Sequence, residues 1–198
     1  MTDTADLVGW ARFIDQILDG HIHRRPYVRI GPTPPILRKY GLGPSDLAIT
    51  PGKIKRVAGD HPEITREIWR DLPRLLRNPV AIVPSSHRDG SIVPVLALGT
   101  SLSGLVLVPI LPAASVAFNL VLSIYERPDG EAWLRRELRI AAKEGKASFL
   151  ERGFAATLPQ PGSASEDALP SSSGSIPVDG TAKPEREILH LRKKSSEE

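Results

Sequence analysis

The chain has 198 residues, 40% of them hydrophobic, which suffices for one core and is short for two. It contains no cysteine, so a disulfide framework and a thiolate metal site are both excluded. Residues 159–198 hold five of the 26 Lys/Arg and seven of the 23 Asp/Glu, so the net charge of +3 hides a body, 1–158, at +5. That excess is compatible with a phosphate-bearing partner and does not by itself require one.

In chain order, "TADLVGWARFIDQIL" carries Leu7, Trp10, Ile14 and Ile17 at helical spacing, which predicts a helix within 1–24. "YVRI" reads as a short extended piece, and "TPPILRKYG" as a short helix stopped by Gly41. Thr50 and Pro51 supply an N-cap and a first-turn proline for a helix to about Gly59. Thr65 caps the next, "REIWRDLPRLLRN", with Ile64 and Trp69 at hydrophobic-staple positions and Pro73 expected to kink or split it.

The period then changes. "PVAIVP", "GSIVPVLAL", "GLVLVPILP" and "FNLVLSIYERPDG" are β-branched segments parted by "HRDG", "GTSLS" and "AAS", which predicts a four-stranded antiparallel meander. Pro94 and Pro109 belong at bulges, or where a missing donor is not needed. "GEAWLRRELRIAAKEG" is an amphipathic helix with Trp133, Leu134, Leu138 and Ala141 on one stripe and Gly145 at its end. "KASFLERGFAATL" adds a further strand, and the aromatic-free, Ser/Pro/Gly-rich 159–198 is expected to be a flexible tail. The expected fold class is α+β: helices first, then the meander and a C-terminal helix.

The start is acidic, without a leader-like apolar core, and the longest apolar run is broken by two prolines. A protein that spans no membrane is expected, in the cytoplasm or delivered into that of a target cell.

Few residues invite chemistry. His61, in "AGDHPEIT", precedes a proline that disfavours helix at its position, so its imidazole falls at a break between helices. There it is either a linker residue beside a helix end or a general acid–base. Lys53, Lys55 and Arg56 form a basic cluster just before it, either a solvated face or a phosphate contact. His21 and His23 have no third ligand nearby, so neither a metal nor a cofactor is expected, and His87 reads as a hairpin-turn residue. Taken as one uninterrupted strand, 118–127 places Phe118, Leu120, Leu122 and Ile124 on a core face. Asn119, Ser123, Tyr125 and Arg127 then share the other, which is either ordinary solvent-facing sheet or a surface for phosphates and bases.

The order "VRIGPTPPILRKYGL", "LAITPGKIKRVAGDHPEIT", "LPRLLRNPVAIVPSS" and "NLVLSIYERPDGEAWL" resembles the C-terminal domain of phage MuF-type proteins, over roughly residues 25–157. That domain is grouped with the barnase–EndoU–colicin–RelE-like nuclease fold and recurs as a toxin module. The resemblance implies a nuclease domain at 25–158. It implies His61 as the catalytic histidine, Lys55 or Arg56 for phosphate charge, and Asn119, Ser123 and Tyr125 as the motif of the substrate strand. Phe149 stands where a tyrosine is common, which removes a hydroxyl there. The implied activity is metal-independent RNA cleavage, with Ser123 and Asn119 orienting phosphate or ribose, Tyr125 stacking and Arg127 beside it. An acidic immunity protein is the expected partner besides RNA. Two alternatives stay open: a non-catalytic phage-associated binding or accessory module, and an ADP-ribosyltransferase toxin. For the latter the nearby glutamate, Glu126, points away from Asn119 and Ser123 by alternation.

Overall fold

The computed structural model describes residues 4–21, 24–98, 104–113 and 117–157. The tail at 159–198, His23 and the "GTSLS" turn lie outside them. Helix α1 (Thr4–Leu18) is followed by β1 (Val28–Gly31), α2 (Pro35–Lys39) and β2 (Leu47–Ile49). Then come α3 (Pro51–Asp60), α4 (Arg66–Leu75), β3 (Ala81–Pro84), β4 (Ile92–Ala97), β5 (Leu105–Leu107) and β6 (Ile110–Leu111). The chain continues through β7 (Asn119–Val121), β8 (Tyr125–Arg127), α5 (Gly130–Lys143), β9 (Phe149–Leu150) and α6 (Arg152–Thr157). The α+β class holds. No described helix is long and apolar enough to cross a membrane.

The meander forms as the pattern predicts, with its third and fourth strands each interrupted. β3 pairs with β4, β4 with β5 and β6, β6 with β7, and β5 with β8, all antiparallel. Pro94 and Pro109 explain the first interruption. Opposite Pro94, Val108 donates to the Pro94 carbonyl at 3.0 Å and can receive no N–H in return. The Pro109 carbonyl accepts from Leu122 at 2.9 Å, while its own donor is missing.

The fourth strand breaks for another reason. Ile110 faces Val121 and Leu107 faces Tyr125, so three steps along β5–β6 match four along β7–β8. One residue is extra, which makes a β-bulge within 122–124. Side-chain parity flips across it: Asn119 and Val121 are buried before the bulge and Ile124 after it. The single alternating strand expected from the sequence is therefore replaced by two short ones, and Asn119 and Tyr125 do not share a face.

The sheet is wider than the meander. β2 joins β7 in parallel, β1 joins β2, and β9 joins β3 at the far edge. One face packs Val106, Val108 and Ile110 against Ile14, Ile54 and Trp69 of α1, α3 and α4. The other packs Leu105, Leu107 and Val93 against Trp133 and Leu134 of α5.

Pro73 does not split α4, which runs to Leu75. Having no N–H, it leaves the carbonyl of Trp69, four residues earlier, without its helical partner. The indole Nε1 of Trp10 donates to that carbonyl at 2.7 Å. A defect in one helix thus fixes where α1 docks. Trp10→Phe keeps most of the apolar volume and removes the donor, so it should lower unfolding free energy by about 1–3 kcal/mol, read in urea melts. Asp15 strengthens the same junction, accepting from Arg66 at 3.2 Å and Arg70 at 2.9 Å.

Candidate functional site

α3 begins where Thr50 Oγ1 accepts from the Lys53 N–H at 3.1 Å, with Pro51 in its first turn. It ends at His61, whose N–H still closes the last turn on Val57 at 2.8 Å while its backbone has left the helical region (φ −133°, ψ 73°). Pro62 imposes that exit. The imidazole then meets the carboxylate two residues on: His61 Nδ1 lies 2.9 Å from Glu63 Oε1. A carboxylate only accepts, so the shared proton belongs to Nδ1, and Nε2 is left as the basic nitrogen.

Glu63 is held in turn. Partial burial works to raise its carboxyl pKa, but hydrogen bonds from its own backbone, the His61 ring and the Glu126 backbone N–H outweigh it and bring the pKa below the ordinary value. The Glu126 contact also locates the pair. Beyond the bulge, β8 pairs with β5 alone among the described strands, and the α3–α4 loop lies close to it through Glu63. His61 and Tyr125 consequently lie with ring centroids 6.0 Å apart, tilted by 32°.

Tyr125 opens onto a pocket of about 250 Å³ between α5 and the β3–β4 loop, lined also by Arg127, Trp133, Glu137, His87 and Arg88. Burial raises the Tyr125 phenol pKa, with Glu137 adding to the effect and Arg127 opposing it, so the hydroxyl keeps its proton at neutral pH. Arg127 forks onto Asp129 at 2.8 and 3.0 Å and lies over the Trp133 ring, 5.8 Å from its centroid. Glu137 is only 4% exposed and accepts from Arg136 at 3.1 Å. A second pocket of about 330 Å³, lined by Thr50, Lys53 and Leu120, shares Arg88 and Leu122 with the first. The two pockets adjoin at Arg88 and Leu122, and Lys53, Arg88 and Arg127 are the cationic residues of their linings.

The sequence-predicted residues divide accordingly. Tyr125 and Arg127 line the first pocket, and the His61 ring lies beside Tyr125. Ser123 is half-buried in the bulge. Lys55 directs its amine to the Gly20 carbonyl at 3.5 Å, by the end of α1, and Arg56 pairs with Asp60 at 3.2 Å. Asn119 is fully buried in the fold: its amide donates toward Thr33 Oγ1 and the Gly43 and Ser45 carbonyls at 2.8–3.0 Å, and its oxygen accepts from the Ala113 N–H at 2.9 Å. His21 contacts the Gln16 carbonyl at 3.0 Å, and among the described residues no three His, Asp or Glu gather as metal ligands.

Sequence reasoning missed Glu63, Arg88 and Glu137. Glu137 had a signal, since it falls on the apolar stripe of α5, three residues after Leu134 and four after Trp133. A charge placed there is either paired or in use. Glu63 is close to His61 in the chain, yet only the turn at Pro62 brings the two side chains together.

Residues 53–152 match the sequence model of a family described as the phage MuF C-terminal domain. No curated protein and no solved structure gives a match.

Proposed function

Since this chain belongs to the phage MuF C-terminal domain family, and its histidine–carboxylate pair lies beside Tyr125, which lines a pocket with Arg88 and Arg127, we propose that it is a metal-independent endoribonuclease of the barnase–EndoU–colicin–RelE-like kind, acting as a toxin. The observation that carries this reading is the fixed His61 ring, with Nδ1 on Glu63 and Tyr125 beside it.

His61 Nε2 takes the proton of a ribose 2′-hydroxyl. The oxygen so freed attacks the adjacent phosphorus, the bond from phosphorus to the 5′-oxygen breaks, and that oxygen leaves with a proton from water. The products are a 2′,3′-cyclic phosphate and a 5′-hydroxyl. Glu63 holds the tautomer and stabilises the imidazolium that forms, and the protonated Tyr125 hydroxyl hydrogen-bonds the phosphate. Lys53 and Arg88, in the pocket linings, balance the charge that builds on the phosphoryl oxygens. Lys55 and Arg56, which the resemblance implies for that charge, contact the Gly20 carbonyl and Asp60 at the surface. Ser123, at the bulge, is left to orient the ribose.

The test is induced expression in bacteria, comparing the unaltered chain with His61→Ala at matched soluble levels. Growth arrest with fragmented RNA in the first alone supports the reading. Intact RNA in both overturns it in favour of an accessory binding module. The pockets are tested by salt. Lys53→Ala and Arg88→Ala should each weaken single-stranded RNA binding and reduce the slope of log affinity against log salt by about 0.7.

A further inference from the structure

Strand β1 ends the sheet. β2 pairs with one side of it, and among the described residues no strand lies on the other. The backbone groups on that outer side meet no backbone partner among the described residues. A free edge of this kind is a template for another extended segment. A pocket of about 260 Å³ lies between this strand and α1. All four residues of β1 line it, with Gly9, Trp10 and Phe13 of α1 and the side chain of Arg25. Successive strand residues point to opposite faces, so a cavity that touches all four lies beside the strand and not over one face.

The chemistry of the edge narrows what fits there. Val28 and Ile30 are buried in one cluster with Trp10, so a strand laid beside β1 sets every second side chain against an apolar wall. Gly9 recesses that wall, since a Cβ there would meet nothing within 4 Å. Its chain neighbour Val8 is 65% exposed, one of two large apolar side chains left in water among the described residues. Arg29 alternates to the other face and stays 53% exposed while paired with Asp46. Arg25 is exposed and has no partner among the described residues. The remaining side chains of an added strand therefore meet cations. A second copy of β1 would bring its own arginines to the same place, which like charge disfavours. A segment with Asp or Glu at those positions gains instead.

We propose that the outer edge of β1 receives, by strand addition, an extended acidic segment of another protein, whose apolar side chains enter the recess at α1 and alternate with carboxylates that face Arg25 and Arg29. Backbone pairing supplies the affinity, and the two kinds of side-chain contact supply the choice of partner. This pocket shares no lining residue with the two near Tyr125, so the proposal stands apart from the nuclease reading.

The experiment is fluorescence-anisotropy titration of the full chain with three short labelled peptides. One alternates valine with glutamate, the second alternates valine with lysine, and the third is the first with every backbone amide N-methylated, which removes its donors. The glutamate peptide should bind at least about tenfold more tightly than the lysine peptide, since like charges set together are costly. N-methylation should remove binding. Gly9→Leu fills the recess from an exposed helical position, and Arg25→Glu reverses an unpaired charge. Each should weaken the glutamate peptide by about tenfold or more, with folding checked by near-ultraviolet circular dichroism. No binding of the glutamate peptide, equal binding of the lysine peptide, or undiminished binding after N-methylation overturns the proposal without recourse to any variant. Binding that survives both substitutions unchanged lies elsewhere and overturns it too. A dimer in sedimentation that Gly9→Leu dissolves would give the edge to a second copy instead.

Discussion

RNA cleavage by the His61→Ala chain is expected to fall by about 10²–10⁴-fold, the usual worth of a positioned acid–base group. Its thermal midpoint should stay within about 2 °C of the unaltered chain. The two halves of this expectation have separate grounds. His61 ends α3 through its backbone, which alanine reproduces, and its ring, at 34% exposure, belongs to neither buried core cluster, so the core packing stays intact. What is lost is Nε2. Glu63→Gln should lower kcat and spare KM, because the amide can still face Nδ1 but no longer steadies an imidazolium. A His61→Ala chain that cuts RNA at the normal rate would sink the assignment, and one that unfolds would show the histidine to be structural.

The opposite balance is expected at Asn119. Asn119→Ala should cost about 3 kcal/mol, a midpoint drop of roughly 6–12 °C, measurable by calorimetry. The amide joins β7 to the 33–45 segment through three acceptors and holds the Ala113 N–H through its oxygen. Alanine leaves buried carbonyls and an N–H without partners, and the cavity is too enclosed for full rehydration. Any loss of activity should therefore track loss of fold. If the variant melts normally yet binds RNA poorly, the side chain belongs to the substrate after all.

Residues 119 to 127 show where the sequence was legible and where it was not. The meander was readable because each strand is β-branched and bounded by turn residues, and the His61 break because proline acts locally on the residue before it. The bulge left no local mark. Polar and apolar residues alternate straight through 122–124, and the extra residue is defined only against β5 and β6, whose facing residues lie 11 and 18 positions upstream on its two sides. β2 escaped notice because Leu47, Ala48 and Ile49 are all buried, a run too short to carry a period. Trp10 read as an ordinary core residue. Its bond to the carbonyl freed by Pro73 joins positions 59 apart in sequence, and no window along the chain spans them.

The parallel β2–β7 pairing also bears on how the chain reaches this state. It aligns Leu47 with Asn119, so its formation closes a loop of about seventy residues that contains α3, α4 and most of the meander. Such a contact recovers its closure entropy only after the intervening hairpins have shortened the effective loop. Refolding should accordingly be paced by this seam. During synthesis, the helical first half waits for β7 to close the seam and for β8, just after it, before the His61 loop has a strand to rest against.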